Sequence, residues 1–267
     1  MKKIAIILVA YDQRRVGAAI RYLHRISASK RLIVVNNKEL FGSGALDSYQ
    51  GGWEQIQGSN SAAEFSGWQE GLTYLDQNET YDLYIFANDT VVTHRRYTWI
   101  RHFAFQYQIR KSTPCIGFIN TSSINFKIEE VQFNRWISTY LFCLSNEVLH
   151  TIKRRIDNSE SVKKYITESL HEDHFFAPGL CRNLHRHLTN WLFRGKWYAS
   201  QALTADTQAF FQRKALAILN EKYLSASLIS HGVLVNDPLG SIRGLSRLDR
   251  FARSKRILLM AEPDAPF

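Results

Sequence analysis

The first 120 residues alternate between continuous apolar runs and apolar positions at helical spacing. Residues 3–10 pass from Lys3 into Ile4-Ala5-Ile6-Ile7-Leu8-Val9-Ala10. A run with no polar face suits a central strand of a parallel sheet, buried on both sides. Val16, Ala19, Ile20, Leu23 and Ile26 then recur at helical spacing. Leu32-Ile33-Val34-Val35 is a second apolar run, ending in Asn36-Asn37. A loop rich in Gly and Ser, 41–52, precedes a short third strand over 53–57. A helix is predicted just after Asn60. Ser61-Ala62-Ala63-Glu64 fits a capping box, with Glu64 reaching back to the first-turn amides. Phe65, Trp68, Leu72 and Leu75 then share one helical face. Leu83-Tyr84-Ile85-Phe86 reads as a fourth strand and Cys115–Ile119 as a fifth.

This βαβαβ order predicts an α/β protein with a parallel sheet and right-handed crossovers. Ligands of such sheets sit beyond the strand carboxyl ends. The polar residues there are the site candidates: Tyr11 and Asp12, Asn36 and Asn37, Gly58 to Asn60, and Asn88 to Thr90. Residues 126–145 are β-rich and aromatic. Beyond about residue 147 the pattern turns helical, with helices expected near 146–156, 180–194, 207–224 and 245–260. The expected division is a nucleotide-binding and catalytic unit over 1–178 and a helical, basic region over 179–267.

Composition narrows the class. The chain has 267 residues, 45% hydrophobic and 22% charged, which is ordinary for a globular protein. The amino-terminal apolar run imitates a signal peptide but is short, and Tyr11-Asp12-Gln13-Arg14-Arg15 follows without a small-residue cleavage site. No stretch is long enough to span a bilayer. Cys115, Cys143 and Cys181 are widely spaced, so a reduced, cytoplasmic compartment is the simplest expectation. Net charge is +10 and uneven. Residues 1–150 carry 16 Lys/Arg against 13 Asp/Glu, and residues 151–267 carry 18 against 11. The second part therefore favours an anionic neighbour.

Two segments carry candidate chemistry in the first unit. In Tyr84-Ile85-Phe86-Ala87-Asn88-Asp89-Thr90 an apolar strand runs into a carboxylate. Asp89 would suit a hard cation that offsets a diphosphate; the alternative is a plain Asn-Asp turn. In Gly58 to Gly67, small residues would let a ligand approach the backbone before a helix amino end that favours anions. The alternative is a capped helix with close packing at Gly67.

Taken in order, Ile7 to Tyr11, Ile33 to Asn37, Gly58-x-Asn60 with Gly67 beyond, and Phe86 to Thr90 resemble the motif set of GT-A glycosyltransferases of the family-2 type. Ala87-Asn88-Asp89-Thr90, with Ile137 to Phe142 downstream, is also similar to rhamnan-synthesis F-type transferases, which build bacterial surface polysaccharides. The resemblance covers roughly residues 3–175. It implies a GT-A-like, Rossmann-like fold and a nucleotide-sugar donor. Tyr11 and Asn37 would line the nucleoside pocket, and Asn60 and Gly67 would shape it. Asn88 and Asp89 stand where the family has its Asp-x-Asp motif for Mg²⁺ or Mn²⁺ and diphosphate. This chain has one acid there where the family has two. Asn36-Asn37 stands where many members have a uracil-reading Asp, which leaves thymidine and guanosine carriers open.

The resemblance also implies a catalytic base in an acidic pair at a helix start, taking the acceptor hydroxyl's proton. Glu172-Asp173 has that type and order, with Asp173 first and Glu172 second; a solvated helix start is the alternative. His171 and His174 flank the pair. His185 and His187 lie two apart and do not read as a metal pair. In the tail, Leu245, Leu248, Phe251 and Ala252 form an apolar stripe amid Arg and Lys. Such a helix would lie on an anionic membrane face beside a lipid-linked acceptor, or dock on the domain. Trp136, Tyr140, Trp191 and Trp197 are either stacking platforms for acceptor sugar rings or core. The function expected is transfer of a sugar from a nucleotide donor to a hydroxyl of a glycan or lipid-linked acceptor. The competing readings are a non-catalytic scaffold of the same fold and a basic nucleic-acid-binding module. No helix-turn-helix, zinc-finger or RNA-recognition signature supports the last, so no nucleic acid is expected. No GxGxxG follows the first strand, which disfavours a nicotinamide dehydrogenase.

Overall fold

The computed structural model describes residues 2–26, 30–38, 53–77, 79–93, 98–195, 201–240 and 242–254. The predicted 41–52 loop, Trp197 and the tail beyond residue 254 lie outside these. Six strands form one sheet: β1 (Ile4–Ala10), β2 (Lys30–Asn36), β3 (Trp53–Gln57), β4 (Leu83–Asn88), β5 (Cys115–Ile128) and β6 (Val131–Ser145). Among the described residues eight α-helices accompany them: α1 (Gln13–His24), α2 (Glu64–Asp76), α3 (Trp99–Arg110), α4 (Asn146–Thr151), α5 (Ser159–Val162), α6 (Arg182–Thr189), α7 (Gln208–Ser230) and α8 (Leu245–Ser254).

The sheet order is β3-β2-β1-β4-β6-β5. β1 to β4 are mutually parallel, and β6 runs antiparallel to both β4 and β5. The expected α/β class with a mostly parallel, Rossmann-like sheet flanked by helices is what forms. One detail differs. The fifth strand does not pair with the fourth, because β6 lies between them. β5 and β6 make a long hairpin turning at Glu129, whose φ of 52° is left-handed. β6 is buried almost throughout from Trp136 to Leu144, so it takes the inner position and leaves β5 at the edge.

Apolar clusters cover both sheet faces. β1 alternates Ile4, Ile6 and Leu8 toward α1 and α3 with Ala5, Ile7 and Val9 toward α2. This two-sided burial is why its sequence shows no polar face. Beyond Leu141, the partner of Ala87, β6 has outrun β4. The α7 helix covers the freed edge. Ile137 N donates to Ser225 Oγ at 3.1 Å, and Thr139 Oγ1 donates to Glu221 Oε2 at 2.9 Å. Glu221 and Ser225 lie one turn apart, so one helix face serves both. A third apolar cluster joins Phe126, Phe133 and Trp136 of this hairpin extension to Leu184, Leu188, Phe211 and Leu219.

Two helix readings change. The capping box does not form: α2 starts at Glu64 with Ala63 before it and no side-chain cap bond. Ser66 Oγ supplies the local polar contacts, accepting from Ala62 N at 3.1 Å and donating to Ala63 O at 3.1 Å. The expected apolar stripe of α8 is split. Ala252 is buried and Leu245 packs against the α1/α3 cluster, whereas Leu248 and Phe251 are exposed. The residue that orients α8 is polar. Asp249 is fully buried, accepting from Thr98 Oγ1 at 2.7 Å and Arg101 Nε at 3.2 Å. Among the described residues no helix is long and apolar enough to cross a membrane.

Removing one partner of a buried ion pair strands the other. Asp249→Ala is therefore expected to cost about 3 kcal/mol in urea unfolding, with Asp249→Asn intermediate. Equal stability of Asp249→Ala and wild type would show that α8 is not docked through this carboxylate.

Candidate functional site at the carboxyl edge of the sheet

The carboxyl ends of β1, β2 and β4 meet the amino end of α2, and a continuous set of polar contacts ties them together. Asp89 follows β4 and is fully buried. Its Oδ2 accepts from Tyr11 N at 2.6 Å and Asp12 N at 2.7 Å, the two amides where β1 turns into α1. Its Oδ1 is buried with no hydrogen-bond partner among the described residues. Burial holds the Asp89 carboxyl above its ordinary value, against the opposing pull of the two amides and Arg15. Asp12 caps α1, accepting from Arg14 N at 3.1 Å. Its carboxyl is held low, chiefly by the Arg14 guanidinium.

Asn37, just past β2, bridges the neighbouring elements. Its Nδ2 donates to Tyr11 Oη at 3.1 Å and to Ala63 O at 2.8 Å. Its Oδ1 is buried and unpartnered among the described residues. Gly58 and Gly67 make room for it. A Cβ at Gly58 would lie 2.0 Å from Asn37 Oδ1, and one at Gly67 would lie 2.8 Å from Val9 Cγ2 and 3.1 Å from Asn37 Oδ1. The segment between these glycines is strained. Asn60 has φ 53°, and Ala63 combines φ 52° with ψ −130°, a region costly for a residue with a Cβ. Ala63 keeps it because its carbonyl is held by Asn37 and Ser66.

Of the residues expected to bind a donor, the structure thus brings Tyr11, Asn37, Gly67 and Asp89 into one connected set. Asn60 lies at the strained turn leading into α2, and its Oδ1 is buried without a partner among the described residues. Asn88 accepts from Thr90 Oγ1 at the end of β4. Glu172 and Asp173 sit apart from this set, in a short turn over 172–174. Asp173 is exposed and pairs with Arg194 at 2.9 Å. His171 and His174 have ring centroids 5.0 Å apart. His187 lies on α6 against Phe126 and Trp136.

The capping-box reading hid one site residue. Glu64 stands at the start of α2 near Tyr11, Asp89 and Glu221, and burial pushes its carboxyl upward, opposed by Lys214. Burial also raises the Tyr11 phenol, with Glu64 adding to it. No pattern in the sequence marks Glu221 or Lys214 of α7 as neighbours, since they enter from far along the chain. For a divalent cation, this edge offers Asp89 Oδ1, which has no hydrogen-bond partner among the described residues but is itself buried. No group of three His, Cys, Asp or Glu able to hold a metal occurs among the described residues. Such a donor set fits a cation carried mainly by substrate phosphates, as Mg²⁺ commonly is.

No protein-family profile and no curated protein matches the chain. Among solved structures, it is similar to 4-diphosphocytidyl-2C-methyl-D-erythritol synthase from Anaerococcus prevotii. That match has 14% identity and a TM-score of 0.39, covering 80% of this chain and 98% of that one. It is also similar to HddC from Yersinia pseudotuberculosis, at 11% identity and a TM-score of 0.33, covering 55% of this chain and 78% of that one. Likeness at this level carries no argument about chemistry.

Asp89→Ala leaves two part-buried amides unpaired and is expected to cost about 3 kcal/mol, whereas Asp89→Asn keeps an oxygen acceptor and costs about 1. The sign of the pH effect follows from the raised carboxyl. The native state holds the Asp89 proton more tightly than the unfolded chain, so this group's contribution falls as pH rises from 3.8 through its raised value. The stability of wild type relative to Asp89→Asn should fall across that window in urea titrations at stepped pH. A difference that rises with pH would mean that the carboxylate is stabilised by its amides more than it is penalised by burial.

Proposed function

We propose that the protein is a glycosyltransferase that moves a sugar from a nucleoside-diphosphate donor to a hydroxyl of a glycan or lipid-linked acceptor. The observation that supports this reading is the polar set at the carboxyl edge. The β1 turn, the end of β2, the end of β4 and the amino end of α2 are linked there through Asp89 and Asn37. Sheets of this kind receive nucleotides at that edge. The α2 amino end favours an anionic group; Ser61 and Ala62 just before it line a cavity of about 570 Å³ whose other walls come from residues 155–168 and α7 and not from the Asp89 and Asn37 set.

In this reading Tyr11, Asn37, Asn60 and Gly67 shape the nucleoside pocket, and Asn88 and Asp89 face the diphosphate. Asp89 is the residue that would hold a divalent cation, which would supply positive charge against the leaving diphosphate. Asp173, with Glu172 beside it, takes the acceptor hydroxyl's proton as that oxygen attacks the anomeric carbon. The bond to the diphosphate breaks, and the nucleoside diphosphate departs with the electron pair. Exposed Leu248 and Phe251, beside Arg247 and Arg250, form the face that would meet an anionic membrane. One observation favours a second reading, a binding scaffold without turnover: Asp89 is fully buried and already employed in holding the β1 turn.

A thermal-shift panel of UDP, dTDP and GDP, with and without Mn²⁺, separates these readings. The transferase should be stabilised by one of them, more so with metal, and Asp89→Asn should lose the metal increment. No stabilisation by any would contradict nucleotide binding. Asp173→Asn should lower donor turnover by about a hundredfold without changing nucleotide stabilisation. Unchanged turnover would remove Asp173 from the reaction. Nucleotide stabilisation with no turnover in wild type would favour the scaffold.

A further inference from the structure

On the α3 side of β6, next to but distinct from the nucleotide edge, lies a second cavity of about 460 Å³. Its size is typical of small-molecule sites, roughly 300–1,000 Å³. Strand register fixes its place. Ala87 of β4 pairs with Leu141, so Tyr140 and Ser138 stand at and beyond the carboxyl end of β4. Phe118, Trp136 and Tyr140 back the cavity but are themselves almost fully buried, so the lining it presents is mainly polar. Phe118 and Tyr140 stack at 5.7 Å with planes 8° apart, and Trp136 meets His187 edge-on at 5.7 Å.

The charged groups at this cavity are already engaged. Arg101 Nη1 donates to Tyr140 Oη at 2.9 Å, its Nε donates to the buried Asp249, and its guanidinium lies 4.9 Å from the Phe118 centroid. Asp237 Oδ1 accepts from Leu239 N at 3.0 Å. Burial, with Lys222 nearby, lowers the His187 pKa to about 4, so its ring is neutral near pH 7. The remaining polar lining is uncharged and unused. The side chains of Asn120, Thr121, Ser138 and His187 make no hydrogen bond among the described residues.

These properties select a ligand class. An anion would find its only cation already committed to a buried carboxylate. An apolar ligand would strand four polar side chains out of water. A neutral ring that carries hydroxyls on its rim satisfies the amide, hydroxyl and imidazole groups without bringing a charge. We propose that this cavity binds a pyranose ring of an uncharged saccharide. Only the role of that saccharide as acceptor rests on the glycosyltransferase reading; its binding rests on the cavity.

Saturation-transfer NMR on the full chain tests this without nucleotide. The probes are methyl glycosides of glucose, galactose, mannose and N-acetylglucosamine, with glucuronate as the charged control. At least one neutral glycoside should bind, and Asn120→Ala and Ser138→Ala should each weaken it about tenfold. Neither side chain is hydrogen-bonded, so the melting temperature and the nucleoside-diphosphate shift should stay unchanged. Thr121→Val, nearly isosteric, is the further variant if either alanine lowers the melting temperature. Binding by glucuronate alone, no binding by any neutral glycoside, or binding that these variants leave intact would overturn the proposal. Saccharide binding without any nucleotide response would sink the transferase reading and leave this one standing. A nucleotide response without saccharide binding would do the reverse.

Discussion

A carboxylate buried at the tip of a strand must either be neutralised or be given hydrogen-bond donors. Asp89 is given two, the amides of Tyr11 and Asp12, and they come from the turn between β1 and α1. The same contact that offsets the burial of Asp89 fixes where β1 ends and where α1 begins. It joins β4 to the turn that any ligand at this edge would meet. Tyr11 is then placed to accept from Asn37, Asn37 to hold Ala63, and Ala63 to keep the strained entry to α2. Each step depends on the one before it, and the chain of contacts begins at one oxygen of Asp89.

The second organising feature is that β6 outruns β4. A strand that continues without a neighbour needs partners for its amides. The α7 helix provides them through Glu221 and Ser225. That arrangement carries Trp136, Ser138 and Tyr140 past the carboxyl end of the parallel strands. It also buries Lys222, whose ammonium lies 3.7 Å from the Trp136 ring centroid and 2.8 Å from Glu221 Oε1. The polar set around Asp89 and Asn37 and the second cavity therefore arise from the same region of the sheet, one on the α2 side and one on the α3 side.

What could be read from the sequence depended on how local the cause was. The burial of β1 on both faces is written in seven consecutive apolar residues. Positions Tyr11, Asn37 and Asp89 were legible as candidates because each is a polar residue just past the carboxyl end of an apolar strand. The α2 cap was misread because Ser61 and Glu64 have capping spacing, yet a strained Ala63 and Ser66 take over that role. The α3 helix left no signal, since Trp99, Ile100, Phe103, Phe105 and Ile109 spread around it, with Trp99 and Phe103 exposed. The place of β6 between β4 and β5, and the approach of Glu221 and Lys214 to Glu64, are long-range outcomes that no short window records. In α8 the apolar stripe suggested the buried face, but the contact that orients it is Asp249, a charge whose partners lie about 150 positions away.

The most direct test is to titrate uniformly ¹⁵N-labelled protein with the stabilising nucleoside diphosphate and follow the backbone amides. If the diphosphate meets this edge, the largest shifts fall on Tyr11, Asp12, Asn37 and Asp89, and Asp89→Asn weakens them. Shifts that leave these four amides still and map elsewhere would contradict the account.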